Sequence, residues 1–216
     1  MTIGAGNNIV RKDATCGGED FKVGKLKNLM QTISIAVLVL AASHASADIS
    51  GMLKMCAGCH GEDGRGVDSD TPIIAGIPAI VQEDALFAYQ DGARNCGTKP
   101  MMCKSASRLT EEQIVDLAAH FSAMPYVPAG EEFDAALAQT GETLHQENCA
   151  ICHGADDPGD AEASILHGQR TAYLRHALQE YAAGAREQLP VMQKKISALS
   201  SDDIEALLNY YASYRP

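Results

Sequence analysis

The chain has 216 residues, of which 46% are hydrophobic, and its 28 acidic and 17 basic residues give a formal net charge of −11 at pH 7. This acidic balance argues against nucleic acid as a partner, because the phosphate backbone attracts surfaces rich in lysine and arginine. The length is enough for one medium domain or two small ones.

The first 47 residues are predicted to be an export signal with an upstream extension. Three lysines in residues 22–27 precede an apolar run that ends in Ala45-Ser46-Ala47, the small-residue pattern of a signal cleavage site. The alternative is an uncleaved anchor, but the run is shorter than the ~20 residues that span a bilayer. We therefore expect a periplasmic protein without stable membrane insertion.

Two short stretches share the spacing Cys-x-x-Cys-His. They read CAGCH and CAICH, and they begin at Cys56 and Cys149. Residues at i, i+3 and i+4 lie on one face of a helical turn, and this motif is the attachment signature of c-type haem. We therefore predict two covalent haem c groups, each held by two cysteine thioethers and one axial histidine: Cys56, Cys59 and His60, and Cys149, Cys152 and His153.

Two other chemistries of paired cysteines fit the sequence less well. A tetrahedral zinc site needs four ligands spread around the metal, whereas each cluster here places Cys and His side by side. A thioredoxin-like pair needs a βαβ setting, and the chain has no sustained alternation of β-branched residues.

The two motifs head two related halves of the chain. AYQDGAR at 88–94 corresponds to EYAAGAR at 180–186, and each half then supplies a methionine and an amphipathic helix. The helix starts carry N-cap signals, Thr110 in one half and Ser200 or Ser201 in the other. We predict an all-α fold of two tandem domains, each wrapped around a covalent haem. The domains span 48–125 and 138–216, and the linker at 126–137 lies in a stretch from Pro125 that has two prolines, a glycine and acids.

The sixth iron ligand is predicted to be methionine in both domains, which closes the iron to substrate and raises its potential. Met192 lies twelve residues before Ile204, and Met102 lies twelve before Ile114. Met101 is the alternative in the first half. Four histidines could compete as ligands and are expected instead to be surface or packing residues: His120, His145, His167 and His176.

Two further cysteines, Cys96 and Cys103, bracket the segment that carries Met102. In an oxidising compartment we expect them to form a disulfide that braces this short loop. The second half has no equivalent cysteines, so the bridge is expected to be local. A thiol-sensitive or copper-binding pair is the alternative.

With these features in place, residues 126–153 and LPVMQKKISAL around Met192 resemble the dihaem cytochrome subunit of flavocytochrome c sulfide dehydrogenase, within the tandem class I cytochrome c family. The resemblance implies that sulfide is oxidised at an FAD on a separate flavoprotein subunit. Electrons would then pass through two haems to a soluble acceptor such as another cytochrome c. No catalytic residue is expected on this chain. The Cys96–Cys103 pair departs from the pattern of that subunit.

Two other functions remain open at this point. A free-standing dihaem shuttle that feeds a terminal oxidase would have the same ligands and no permanent partner. A haem enzyme, for example one that oxidises thiosulfate, would need one iron with a displaceable or cysteine ligand, and Cys103 beside Met102 keeps this option open.

Overall fold

A computed structural model of the protein describes residues 48–97, 100–154 and 164–215, and the predicted export signal lies outside these ranges. The described part contains nine α-helices and no helix long and apolar enough to cross a membrane. In chain order the helices are α1 Ser50–His60, α2 Ala79–Asp91, α3 Pro100–Ala106, α4 Glu111–Ser122, α5 Ala135–Asn148, α6 Ala150–His153, α7 Thr171–Ala182, α8 Pro190–Ile196 and α9 Ser201–Ala212.

The same order of elements occurs twice. A motif helix comes first (α1, or α5 followed at once by α6), then a long helix (α2 or α7), a short one that starts with proline (α3 or α8) and a closing helix (α4 or α9). In both halves the long helix packs against the closing helix and against the short one. The prediction of an all-α fold with two related domains is confirmed.

The closing helices begin where the N-cap signals predict. Thr110 caps α4 in a capping box with Gln113, and Ser200, rather than Ser201, caps α9 in the same way with Asp203. These contacts satisfy backbone N–H groups that have no partner inside the helix. Asp134 caps α5, so this helix includes the last three residues of the segment predicted as linker, 126–137.

Each half has its own apolar core, and the closing helix supplies most of it. The first core consists of Leu109, Ile114, Leu117 and Phe121. The second consists of Leu174, Leu207, Leu208 and Tyr211. Because such small cores bury little area, a large covalent apolar group is a natural completion of each domain.

In the second half, α5 and α9 cross at very close range. A Cβ added to Gly141 would lie only 2.0 Å from the carbonyl oxygen of Ala206. Only a residue without a side chain allows this approach, which fixes how the motif helix sits on the closing helix.

The linker and several long-range hydrogen bonds join the halves. The side-chain amide of Gln169 pairs with the backbone of Ile73, accepting its N–H at 2.8 Å and donating to its carbonyl at 2.9 Å. In the linker, Tyr126 donates its hydroxyl to the carbonyl of His167 at 2.7 Å. All described residues belong to one compact unit.

Candidate haem sites

The last residue of α1, His60, is 7% exposed, and its Nδ1 lies 3.1 Å from the carbonyl oxygen of Pro72. A neutral imidazole whose Nδ1–H donates to a carbonyl presents the lone pair of Nε2 to a metal. Burial lowers the pKa of His60, which favours this neutral form. The geometry therefore suits an axial ligand.

The second motif repeats this arrangement. His153 ends α6, and its Nδ1 lies 3.0 Å from the carbonyl oxygen of Ser164. The two carbonyl partners come from loops twelve and eleven residues further along the chain. The same hydrogen bond, built twice, orients both rings in the same way.

The four motif cysteines follow one pattern in both halves and are free of disulfides. Cys56 and Cys149 are half-buried, and Cys59 and Cys152 are exposed. Burial raises the pKa of the Cys56 and Cys149 thiols. One inner and one outer sulfur beside an oriented imidazole is the donor set that two thioethers and an axial nitrogen require.

The short helices α3 and α8 carry the candidate sixth ligands at the same position. Met102 and Met192 are each the third residue of their helix, and both are half-buried. The preceding residues face solvent, with Met101 60% exposed and Val191 58% exposed. This difference favours Met102 over Met101. Lys195 Nζ donates to Asn148 Oδ1 at 2.7 Å, which ties α8 to the residue before Cys149.

The structure joins Cys96 and Cys103 in a disulfide, with Cα atoms 5.9 Å apart. Cys103 follows Met102 on α3, so the bond ties the methionine-bearing helix to the preceding loop. The second half has no cysteines at the equivalent positions, but the structure shows a non-covalent counterpart of the disulfide. At the corresponding positions the side-chain amides of Gln188 and Gln193 are hydrogen-bonded to each other.

A polar cluster lies where the two domains meet, and sequence analysis assigned it no role. Arg94 and Arg186, the last residues of the repeated GAR segments, form an isolated antiparallel β-bridge. Backbone hydrogen bonds on either side join Asn95 N to the Ala185 carbonyl at 2.9 Å and Glu187 N to the Ala93 carbonyl at 3.1 Å. The repeated GAR sequence could have indicated this pairing, because identical segments in two halves can pair about a local twofold axis.

Both arginines stack on tyrosines of their own half. Arg94 lies 4.4 Å from the ring centroid of Tyr89, and Arg186 lies 4.5 Å from that of Tyr181. The phenol of Tyr173 interacts electrostatically with both guanidinium groups. Loss of hydration disfavours its phenolate, but the two arginines outweigh this and lower the pKa of Tyr173 to about 8.

One carboxylate, Glu180, joins the cluster. Its Oε2 lies 3.8 Å from Arg94 and its Oε1 lies 3.1 Å from His176 Nε2. Arg94 Nε and Glu180 Oε2 are buried and have no hydrogen-bond partner among the residues that the structure describes. Two guanidinium groups against one carboxylate leave an excess of positive charge, which suits the carboxylates that a haem carries. The net positive charge of the cluster therefore fits the carboxylates of a bound haem.

The other histidines have packing or surface positions. Both ring nitrogens of His145 have partners, Tyr211 Oη at 3.1 Å and the Gly154 carbonyl at 2.6 Å, so neither is available to an iron. His167 is 2% exposed and packs edge-on against His145 at 4.9 Å between ring centroids. His120 is exposed on α4.

Comparisons with known proteins agree with this geometry. The cytochrome c family profile matches residues 50–124, and the profile described as cytochrome c oxidase, cbb3-type, subunit III matches 136–210. Cytochrome c4 from Azotobacter vinelandii is 29% identical over 210 residues, covering 86% of this chain and 96% of that protein. A thiosulfate dehydrogenase electron acceptor from Stutzerimonas stutzeri is 32% identical over 171 residues, covering 73% of this chain and 78% of that protein.

Among solved structures, cytochrome c4 from Acidithiobacillus ferrooxidans superimposes with a TM-score of 0.67 at 25% identity, covering 74% of this chain and 99% of that one. Two cytochrome c domains, each with a Cys-x-x-Cys-His motif, imply two covalently bound haem c groups. A haem iron supplies reversible one-electron chemistry at each site.

Proposed function

Because the chain belongs to the family of dihaem class I cytochromes c, which transfer electrons, we propose that it accepts electrons from a dehydrogenase of an inorganic sulfur compound and passes them singly to a soluble acceptor. One observation carries the choice of donor: the relative that is 32% identical is named for accepting electrons from thiosulfate dehydrogenase.

The residues of the chain divide the work as follows. Cys56 and Cys59 would hold the first haem, and His60 and Met102 would bind its iron. In the second domain Cys149, Cys152, His153 and Met192 would have the same roles. A histidine and a methionine bound to each iron would leave no position for substrate, so the chemistry that the haems would supply here is electron relay, and substrate oxidation would belong to the partner. The hydrogen bonds from His60 to Pro72 and from His153 to Ser164 keep the imidazoles aligned.

Two donors remain candidates for this acceptor. One is a thiosulfate dehydrogenase, as for the named relative. The other is a flavoprotein sulfide dehydrogenase with FAD on that partner, as the resemblance of the linker and second half implies. Both oxidations release two electrons, and two haems can take up the pair one electron at a time.

A second function, a free shuttle between a respiratory complex and a terminal oxidase, has its own support. Cytochrome c4 relatives match nearly their full length, and the second domain matches an oxidase subunit profile. In either function the protein works in the periplasm, exported by residues 1–47, with domain boundaries at 48–125 and 138–216 around the linker 126–137.

The test is enzymatic reduction of the oxidised holoprotein, followed by haem absorbance. Catalytic amounts of thiosulfate dehydrogenase with thiosulfate, or of a flavoprotein sulfide dehydrogenase subunit with sulfide, are compared with the same reductants alone. Enzyme-dependent reduction of both haems by either enzyme supports the proposal and identifies the donor. If both fail while membranes that contain a terminal oxidase oxidise the reduced protein rapidly, the shuttle function replaces it.

A further inference from the structure

The peptide group between Pro72 and Ile73 is hydrogen-bonded on both of its sides. Its carbonyl oxygen lies 3.1 Å from His60 Nδ1, in the contact that orients the candidate axial imidazole. Its N–H donates at 2.8 Å to Oε1 of Gln169, which belongs to the second domain. Gln169 Nε2 also donates to the Ile73 carbonyl at 2.9 Å, so two bonds align the amide. A side chain of the second domain therefore reaches the peptide group that orients the first-domain histidine.

The residues that form this series of hydrogen bonds are buried. His60 is 7% exposed, Ile73 is 1% exposed and Gln169 is 3% exposed. Away from water a hydrogen bond is electrostatically stronger, and successive bonds polarise one another. Because a peptide group is planar and conjugated, a hydrogen bond from its N–H to Gln169 increases the negative charge on its carbonyl oxygen. The Nδ1–H of His60 then donates to a stronger acceptor.

The surrounding backbone fixes the amide of Gln169 in this orientation. The N–H of Gln169 donates to the Leu166 carbonyl at 3.2 Å, which anchors the residue. The N–H of Arg170 donates to Gln169 Oε1 at 3.0 Å, so this oxygen accepts two backbone N–H groups. In the opposite orientation the NH₂ group would face two donors, which only an oxygen can satisfy. The oxygen of the amide therefore faces the Ile73 N–H.

The first domain does not make the reciprocal contact from the matching position. Ile77 follows Gly76 as Gln169 follows Gly168, and both glycines have left-handed backbones, with φ of 71° and 74°. An isoleucine side chain neither donates nor accepts a hydrogen bond. The amide contact from one domain to the other is thus specific to the first axial histidine.

We propose that Gln169 is a positioning residue for the axial ligand of the first haem, because it holds and polarises the peptide group that accepts the Nδ1–H of His60. A stronger hydrogen bond at Nδ1 makes the imidazole a more electron-donating ligand through Nε2. Such a ligand favours the oxidised iron, so Gln169 lowers the potential of the first haem. The second domain in this way tunes a haem to which it supplies no ligand.

The inference rests on the role of His60 as an iron ligand in the proposed function, and it is independent of which enzyme donates electrons. The reduction assays above identify the donor. The measurements below report the hydrogen bond at one imidazole and the potential of one haem, so the two sets of experiments can fail separately.

The first measurement is NMR spectroscopy of the fully reduced wild-type holoprotein, in which the Nδ1–H protons of the two axial histidines are observed. Both protons would lie beside the same kind of haem ring, so the difference between their chemical shifts reports the difference in hydrogen-bond strength. The signal of His60 should lie further downfield than that of His153. A His60 signal at the same position or further upfield contradicts the proposal, and this comparison needs no variant.

Gln169→Leu removes both hydrogen bonds to Ile73 with little change in side-chain volume. The Nδ1–H signal of His60 should move upfield, and that of His153 should stay. Redox titration should show one potential raised and the other unchanged. At a fixed applied potential, the ratio of reduced to oxidised first haem should rise on the order of twofold to fivefold, because the polarisation of the acceptor is lost.

Arg170→Leu is the matched control. Arg170 also reaches the first domain, where its guanidinium donates to the carbonyls of Arg65 and Gly66 at 3.0 to 3.1 Å. These bonds do not involve the peptide group between Pro72 and Ile73. The control variant should therefore loosen the contact between the domains and leave both Nδ1–H signals and both potentials in place.

A second substitution keeps the test decisive if Gln169→Leu does not fold. Gln169→Asn retains a polar amide at this buried position, but its side chain is one methylene shorter, which withdraws the oxygen from Ile73. It should move the His60 signal in the same direction. The proposal is wrong if a folded variant at position 169 leaves that signal unchanged, or if Arg170→Leu shifts it equally.

Discussion

The side-chain amides of Gln188 and Gln193 are hydrogen-bonded to each other at the two positions that correspond to the disulfide partners Cys96 and Cys103. The surroundings match as well. Gln188 Nε2 donates to the Tyr181 carbonyl at 3.1 Å, and Cys103 Sγ lies 3.8 Å from the carbonyl of Tyr89, the equivalent tyrosine. One repeat closes its methionine loop covalently and the other by an amide pair.

Replacing the disulfide with Cys96→Ser and Cys103→Ser should destabilise the holoprotein by about 2–3 kcal/mol, the chain-entropy value for a short closed loop. It should also increase binding of exogenous ligands at the first haem, because the segment around Met102 is no longer braced. Denaturant unfolding and ligand titration measure the two effects. Cys96→Gln with Cys103→Gln copies the second half and should recover part of the loss. Equal behaviour of the Ser and Gln pairs would contradict a closing role for the amide pair.

The motif cysteines and the disulfide cysteines should differ sharply in mass spectra. Denatured holoprotein should retain two haems, and Cys149→Ala with Cys152→Ala should retain one, because the thioethers of the second site are lost. The Cys96→Ser and Cys103→Ser pair serves as control and should retain both. A control that loses a haem would show that Cys96 or Cys103 takes part in attachment.

The methionine ligands can be separated by substitution. Met102→Ala and Met192→Ala should each lower the potential of one haem and open it to exogenous ligands, because a thioether favours the reduced iron. Met101→Ala should leave both haems closed, since its side chain is 60% exposed. Redox titration and the weak methionine–iron charge-transfer band report the ligation. If Met101→Ala changes the potential and ligand binding of the first haem more than Met102→Ala does, Met101 and not Met102 is the iron ligand.

Local patterns in the sequence predicted much of the fold, but they could not predict contacts between residues far apart in the chain. The Cys-x-x-Cys-His spacing, the caps at Thr110 and Ser200, and the matched positions of Met102 and Met192 are read within one or two helical turns, and the structure places them on equivalent elements. The pairing of Gln169 with Ile73 joins residues 96 positions apart. No periodicity encodes such a contact.

The interface cluster escaped prediction for a related reason. The GAR segments were recognised as repeats, but each arginine alone resembles a solvated surface charge. Only the pairing of Arg94 with Arg186 brings the two charges, Tyr173 and Glu180 together. The sequence analysis expected His145 and His167 to be surface or packing residues, but no local pattern shows that the two buried rings pack edge-on against each other.

The close crossing of α5 and α9 predicts a strong effect from a single methyl group. Gly141→Ala should destabilise the second domain by about 1–3 kcal/mol or more, because its Cβ would overlap the Ala206 carbonyl and force the helices apart. Gly51→Ala is the matched control: that helical glycine has nothing within 4 Å of an added Cβ, so alanine should stabilise α1 by roughly 0.5–1 kcal/mol. Denaturant unfolding of both holoproteins measures the contrast. Similar values for the two variants would refute the packing argument.

The stability of the domain interface should rise between about pH 8 and pH 10. The pKa of Tyr173 is lowered to about 8, below the ordinary tyrosine value near 10, because Arg186 and Arg94 stabilise the phenolate against the cost of removing it from water. The folded protein therefore loses this proton at a lower pH than the unfolded chain. The resulting stabilisation is absent below pH 8, grows as pH rises, and is complete above pH 10, at about 1–2 kcal/mol after allowance for screening.

The difference in unfolding free energy between the wild type and Tyr173→Phe, measured from pH 8 to pH 10, should show this rise. Tyr89→Phe is the control, because the pKa of Tyr89 is raised to about 12 by its burial and the group does not ionise in the window. A flat difference curve for Tyr173→Phe would mean that the two arginines do not hold a phenolate in the folded protein.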